Sequence, residues 1–389
     1  MPTESNRAFA GMRTIQAPLP TDVFFQEGFR GDAVELREFV VTCHDNEVPD
    51  FVEAELERLY GNYYSTVAHF IAEKRLQNAS AYVERNGGVI NSLILFQQEG
   101  KVVTVLNEVV SFSQDEIERF THFLFRRDST ISSIVFCAIE VQLRDFSLPF
   151  QRLNYLEDIT IKLPSSVDQF VSGLGSSVRR NLKRYERLIV ADYPSFAFHF
   201  FSDDEIQAQD IHDIVVLNQA RMSEKNKVSA IDEAVEQNLL LQSRRQGLVC
   251  VATIDGKICA GAICFRTGKN YFMTVIAHDS QYGAYRLGNL CCKKVISRCI
   301  ENGGNEFHFL WGRYEYKYML SGVQRDLFRV VIYRSRLQQL LQLRLALRVW
   351  ISAQTRALRL YLLDAKKSDG VFPQIAHRCL TAARRLRNR

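Results

Sequence analysis

Residues 307–320 read FHFLWGRYEYKYML and bring many ionisable groups together in a short stretch. Phe307, Phe309 and Trp311 alternate as on a strand with one apolar face, and this strand runs into Gly312. Arg313, Tyr314, Glu315, Tyr316, Lys317 and Tyr318 follow. Lys317, between two tyrosines, is a fixed cation that can stabilise a developing anion. It could equally run past its neighbours to solvent. Tyr316 and Tyr314 can donate a proton and take it back, although aromatics at every second position of an extended segment also serve as packing. Glu315 and His308 are the candidate bases. A strand that ends in glycine and then ionisable groups presents chemistry at the edge of a sheet.

Such an edge needs a sheet behind it, and the chain spells one twice. In the first half, residues 33–42 read as a strand and 50–60 as a helix. Strands at 80–84, 89–97 and 102–110 follow, separated by Asn86-Gly87-Gly88 and Glu99-Gly100 turns. Residues 113–126 form an amphipathic helix with Ser113 and Glu116 spaced as a capping box, and 133–139 a closing strand. In the second half, strands at 248–254, 257–266 and 271–276 surround an Asp255-Gly256 hairpin turn. A helix at 288–301 stops at Gly303-Gly304, and 306–311 closes the unit. The repeated order predicts a tandem α/β protein. Between the copies lie a linking strand (152–162), a basic amphipathic helix (176–190, SSVRRNLKRYERLIV, capped by Ser176 or Ser177) and two further helices (203–222 and 230–245).

At 389 residues the chain has room for two domains. A 47% apolar and 24% charged composition is that of a globular protein. No apolar run approaches a membrane span, and the polar N-terminus lacks a secretion core, so a cytoplasmic location is expected. Nine cysteines without a CxxC pair predict reduced, buried thiols and no metal site. The net charge of +5 conceals an asymmetry: from Arg334 onward stand 13 Lys/Arg and two acids, a net of +11, on a body of net −6. This gives no indication of nucleic-acid binding by the whole protein and leaves a cationic tail that can meet anions. Residues 336–363 predict a long helix with Leu337, Leu340, Leu341, Leu345, Val349 and Ile351 at helical spacing. Arg344, Arg348, Arg356 and Arg359 gather along one side, and 374–389 predict a second basic helix. Packing on the body, an oligomer contact, an anionic membrane surface at the inner face and nucleic acid all stay open.

The order of SSVRRNLKR, helical pair, DGKICAGAICF, DSQYGAYRLG, helix, FHFLWGRYEYKY and VVIYRS resembles the C-terminal acyltransferase domain of the GNAT superfamily. It is more narrowly similar to the CelD-like branch, related to the Fem-type aminoacyl transferases. The resemblance covers about residues 155–335. It implies tandem GNAT-like domains, mixed sheets flanked by helices: a degenerate copy at 21–150, an acyltransferase domain at 151–335 and a basic helical extension at 336–389. It implies acetyl-CoA or another acyl-CoA as co-substrate and a small-molecule or glycan-precursor amine as acceptor, with an aminoacyl-tRNA donor or a catalytically silent binding module as alternatives. The co-substrate's diphosphate would meet the helix start at Arg286, Leu287, Gly288 and Asn289, in a loop bulkier than the usual phosphate loop. Ala277 and His278 would lie beside the acyl chain, though His278 could also be a structural histidine. Arg179 and Arg180 would close over the anion, or simply face solvent. Lys317 would stabilise the transferred group and its leaving thiolate, and Tyr316 or Tyr314 would protonate that thiolate.

Overall fold

Alternation along the strands sorts the side chains of the sheet to two faces. The computed structural model describes residues 21–30 and 33–365. The first half runs β1 (Thr21–Arg30), β2 (Ala33–His44), α1 (Val52–Tyr60), α2 (Val67–Ala72), β3 (Ser80–Asn86), β4 (Val89–Glu99), β5 (Val102–Val105), α3 (Gln114–Arg127) and β6 (Ser133–Ile139). Here Tyr82, Ile94 and Phe96 face α3, while Ala81, Val83, Leu93 and Leu95 face α1 and α2. A connecting segment holds β7 (Phe150–Lys162), α4 (Val167–Gly173) and α5 (Ser176–Asp192).

The second half runs β8 (Ala197–Ser202), α6 (Ala208–Glu224), α7 (Glu233–Gln246), β9 (Gly247–Ile254), β10 (Lys257–Thr267), β11 (Asn270–His278), α8 (Leu287–Glu301), β12 (Glu306–Leu310), α9 (Glu315–Met319) and β13 (Val323–Tyr333). Cys250, Ala252 and Ile254 pack with α4, α5 and α8, while Val249 and Val251 face α6 and α7. Helix α6 lies so close that a Cβ on Gly261 would come within 2.3 Å of Ile214, so the side chain is missing where the helix needs the room. Two helices, α10 (Arg336–Leu341) and α11 (Leu343–Ala365), follow.

Each half is an antiparallel meander followed by a helix that crosses to a parallel strand: β5 beside β6, β11 beside β12. The halves then exchange strands. β13 of the second half pairs with β6, β7 pairs with β12, and β7 and β13 pair with each other. The result is one thirteen-stranded sheet, ordered β1-β2-β3-β4-β5-β6-β13-β7-β12-β11-β10-β9-β8. The expected boundary between residues 150 and 151 falls at the start of β7.

Several expectations are corrected. The strand expected at 102–110 stops at Val105. The basic helix starts after Gly175, not after a serine, and has no side-chain cap. Residues 315–319 are helical rather than extended. The long C-terminal helix is broken at Gln342. The spacing did not announce β8 of the second half or α4 of the connecting segment. The second basic helix expected at 374–389 lies outside the described residues. The eight cysteines described are buried and unbridged.

Candidate active site

β11 and β12 pair over only three residues, Asn270–Phe272 against Glu306–His308. Among the described residues no pairing joins them beyond that point. β12 ends at Leu310, whose φ of 58° is left-handed, and Gly312 follows at φ 94°. A leucine in that region is strained unless its surroundings hold it there. Lys317 supplies the hold: its Nζ donates to the carbonyls of Phe309 (2.9 Å), Leu310 (2.9 Å) and Trp311 (2.6 Å). On the opposite edge of the gap, Arg221 of α6 donates to the carbonyl of Ile276 in β11 at 3.3 Å.

A cavity of about 520 Å3 fills the mouth of this splay. Helix α5 presents Val178, Leu182 and Tyr185 to it, β11 presents Ile276 and His278, and α9 presents Glu315 and Tyr316, preceded by its N-cap Tyr314. The start of α8 forms the remaining wall. Its N-cap is Arg286, in a left-handed conformation (φ 51°), with no side-chain cap and no acidic residue in the first turn. A helix start with no side-chain cap and no competing carboxylate is suited to an anion. Gly288 also lines the cavity, and a Cβ there would stand 2.9 Å from His278 Cδ2. The backbone of α8 therefore approaches the cavity where any larger residue would push into it.

Seven residues expected from sequence meet at this cavity: His278, Arg286, Gly288, Asn289, Tyr314, Glu315 and Tyr316. Six others lie elsewhere. Ala277 and Leu287 are fully buried in the packing on either side of the sheet. Lys317 is 2% exposed and spends its donors on main-chain carbonyls rather than facing the cavity. His308 is buried on the other side of β12, stacked on Phe272 at 4.2 Å, with Nδ1 2.7 Å from Asp158. Arg179 donates to the carbonyls of Ser172 and Leu174 and so caps α4. Arg180 is exposed and away from the lining. The structure adds Arg221 and Asn181. Nothing local in the sequence marks Arg221, whose place depends on how α6 crosses β11. Asn181 could have been found by extending the helical face of Val178 and Tyr185.

Burial raises the Tyr316 phenol far above its ordinary value, so it keeps its proton. Burial lowers the His278 imidazole, opposed by its contact with the Asp279 carbonyl. The Lys317 ammonium is pulled down to about 8 by burial, opposed by Asp158 and Cys292. Cys250, Cys264, Cys292 and Cys299 are held well above the usual thiol range: the hydrogen bond to Cys291 leads for Cys250, and burial leads for the other three. None is a ready thiolate nucleophile.

Residues 176–318 match the family model described as an acetyltransferase (GNAT) domain. This part of the chain is a GNAT-type domain. The matched stretch runs from the start of α5 to Tyr318 in α9 and contains the whole cavity lining except Met319. The GNAT fold here is shared with FemX, at 7% identity over 76% of this chain and 98% of that one, with a TM-score of 0.56. L-PGS from Bacillus licheniformis is also similar, at 14% identity over 78% and 97%, with a TM-score of 0.46. So is a tandem GNAT protein from the clavulanic acid biosynthesis pathway, at 10% identity over 75% and 98%, with a TM-score of 0.38. No curated protein matches the chain by sequence.

Proposed function

We propose that this GNAT protein transfers an acyl group from an acyl-CoA, acetyl-CoA or a longer ester, to the amine of a small molecule or glycan precursor. One observation carries the reading: the gap between β11 and β12 opens onto the uncapped start of α8. The thioester supplies an activated carbonyl and a thiol leaving group. The amides at the start of α8, with Arg286 beside them, are suited to a diphosphate. The unpaired edge of β11 offers main-chain groups to an extended amide arm as an added strand would. Glu315, exposed at the mouth, is the acceptor for the amine's proton. Tyr316 holds a proton for the departing sulfur. A carbon–nitrogen bond forms as the carbon–sulfur bond breaks, and one proton moves to each side. Lys317 holds the end of β12 and with it α9, so its part is positioning. The raised thiols favour direct attack over a cysteine acyl-enzyme.

An aminoacyl-tRNA donor is the competing reading. Helices α6 and α7, of 17 and 14 residues, lie on the sheet rather than projecting as an arm. Calorimetric titration with coenzyme A and acetyl-CoA tests the proposal. Binding, together with a melting temperature that rises with ligand concentration, is expected. Absence of both at millimolar ligand, or acyl transfer only from charged tRNA, would overturn it.

A further inference from the structure

Helix α11 carries two apolar faces, and the body uses only one. Ala346 and Val349 are buried against Val135, Cys137, Val331 and Tyr333 of the sheet. Arg356 turns to the same side and bonds Asn154 at 3.0 Å and Glu157, which takes it out of the arginine row read from the sequence. At 100° per residue, Leu343, Leu347, Trp350, Ile351 and Leu358 fall on the opposite side, within about a third of the circumference. All five are about half exposed, from 47% for Leu347 to 59% for Leu358. Leu337, Leu340 and Leu341 of α10 are more exposed still, at 65–70%. The apolar strip on α11 runs about 22 Å at 1.5 Å per residue, and Arg344 and Arg348 stand exposed along one border.

We infer that this outer face of α10–α11 is a docking surface for an anionic lipid bilayer. Charge decides the occupant. Residues 336–363 contain five arginines and no acid; Arg356 is already paired with Glu157, and the one acid of α11, Asp364, stands beyond the apolar strip. A second copy docked isologously would set the remaining cations against one another with no counter-charge along the apolar strip, whereas anionic headgroups supply it. Nucleic acid would satisfy the arginines but leave the leucines and Trp350 without a partner. An apolar strip bordered by arginine is the arrangement that lies in the headgroup plane. Among the described residues no helix is long and apolar enough to cross a membrane, so contact would be peripheral.

Co-sedimentation of the full chain with vesicles tests this. Binding to phosphatidylglycerol vesicles is expected, with at least tenfold weaker binding to phosphatidylcholine vesicles. The double change Leu347→Glu/Ile351→Glu should reduce phosphatidylglycerol binding at least tenfold. Arg344→Gln/Arg348→Gln should reduce it several-fold and weaken its dependence on salt. Both variants alter exposed residues, and unchanged melting temperatures confirm intact folds. Trp350→Glu provides an independent third change should the double glutamate variant melt early. The inference is overturned if vesicles are not bound, if the glutamate variants bind as the parent does, or if light scattering shows a dimer that those changes dissociate while lipid binding is absent. Binding of duplex DNA that survives the glutamate changes, without lipid binding, would also overturn it.

Discussion

β5 and β6 part after three paired residues, as β11 and β12 do, but the first half closes its gap. Asn107 buckles inward and bonds the amide of Leu95 at 2.8 Å. The chain then returns to β6: Val109 donates to Ala138 at 2.7 Å, Glu140 to Val110 at 2.8 Å and Phe112 to Glu140 at 3.0 Å. The amide of Asn62 seals the seam from outside through the Val109 carbonyl. The helix behind the gap differs in the same sense. α3 opens with a complete capping box and carries Asp115 and Glu116 in its first turn, so the Glu116 amide is engaged and two carboxylates oppose an anion there. α8 opens with no side-chain cap and no acid. One topology thus yields a sealed sheet and an open site, and the difference lies in a few residues at the strand ends and the helix start.

The largest effect is expected at the clamp that holds the gap open. Replacing Lys317 by Met strips three buried carbonyls of a charged donor and should cost about 4 kcal/mol in denaturant unfolding. A lysine acting at the surface of a site would instead reduce turnover with little change in melting temperature. If Lys317→Met unfolds like the parent, β12 does not need its clamp, and the contrast with the self-paired first half loses its physical basis.

A second test separates the dry seam between the halves from the open cavity. His69 of α2 is 8% exposed, packs on Tyr63 and Tyr64, and has no hydrogen-bond partner for Nδ1. Burial, and then Arg75, lower its imidazole to about 4, from 6.5 in the unfolded chain. Between those values the unfolded chain binds the extra proton, so stability rises with pH. This contribution is complete above 6.5 and is lost as pH falls toward 4, by up to roughly 3 kcal/mol at 1.36 kcal/mol per unit. His69→Phe should flatten that acid limb in urea unfolding measured between pH 7 and 4.5. An identical limb in both proteins would mean that water reaches the seam.

How much of this contrast could be read beforehand depends on the range of the interactions. The capping box at Ser113 and Glu116 was legible because its partners are three residues apart. The meanders were legible because turns such as Asp255-Gly256 are local. The seven cavity residues lie at a strand end, at the start of α8 and at the start of α9, so their order along the chain brought them into view. The inward course of Lys317 was not legible, because its partners, the carbonyls of 309–311, become available only when the strand breaks and the chain coils into α9. The exchange of β7 and β13, and the closure at Val109, rest on pairing across large sequence separations that no periodicity records.

Filling the open site should have the next effect. Gly288→Val places carbon where His278 already stands and should weaken coenzyme A binding about a hundredfold, about 2.7 kcal/mol. Removing the crowding with His278→Ala in the same background should restore part of that loss. Unchanged affinity in titration would detach the start of α8 from the site.

The smallest effect is expected at the corresponding place in the first half. Ser113→Ala removes the oxygen that accepts from the Glu116 amide and should cost about 1 kcal/mol of stability. It should not change coenzyme A affinity. The freed amides would still sit beside Asp115 and Glu116 and behind strands joined again at Val109. No diphosphate can approach them without meeting two carboxylates. Thermal unfolding with and without coenzyme A reads both quantities in one protein: the melting temperature should fall by the same amount in each, leaving the ligand-induced increment as it was. An increment that shrinks with Ser113→Ala would mean that α3 takes part in binding, and the division into a sealed and an open half would no longer hold.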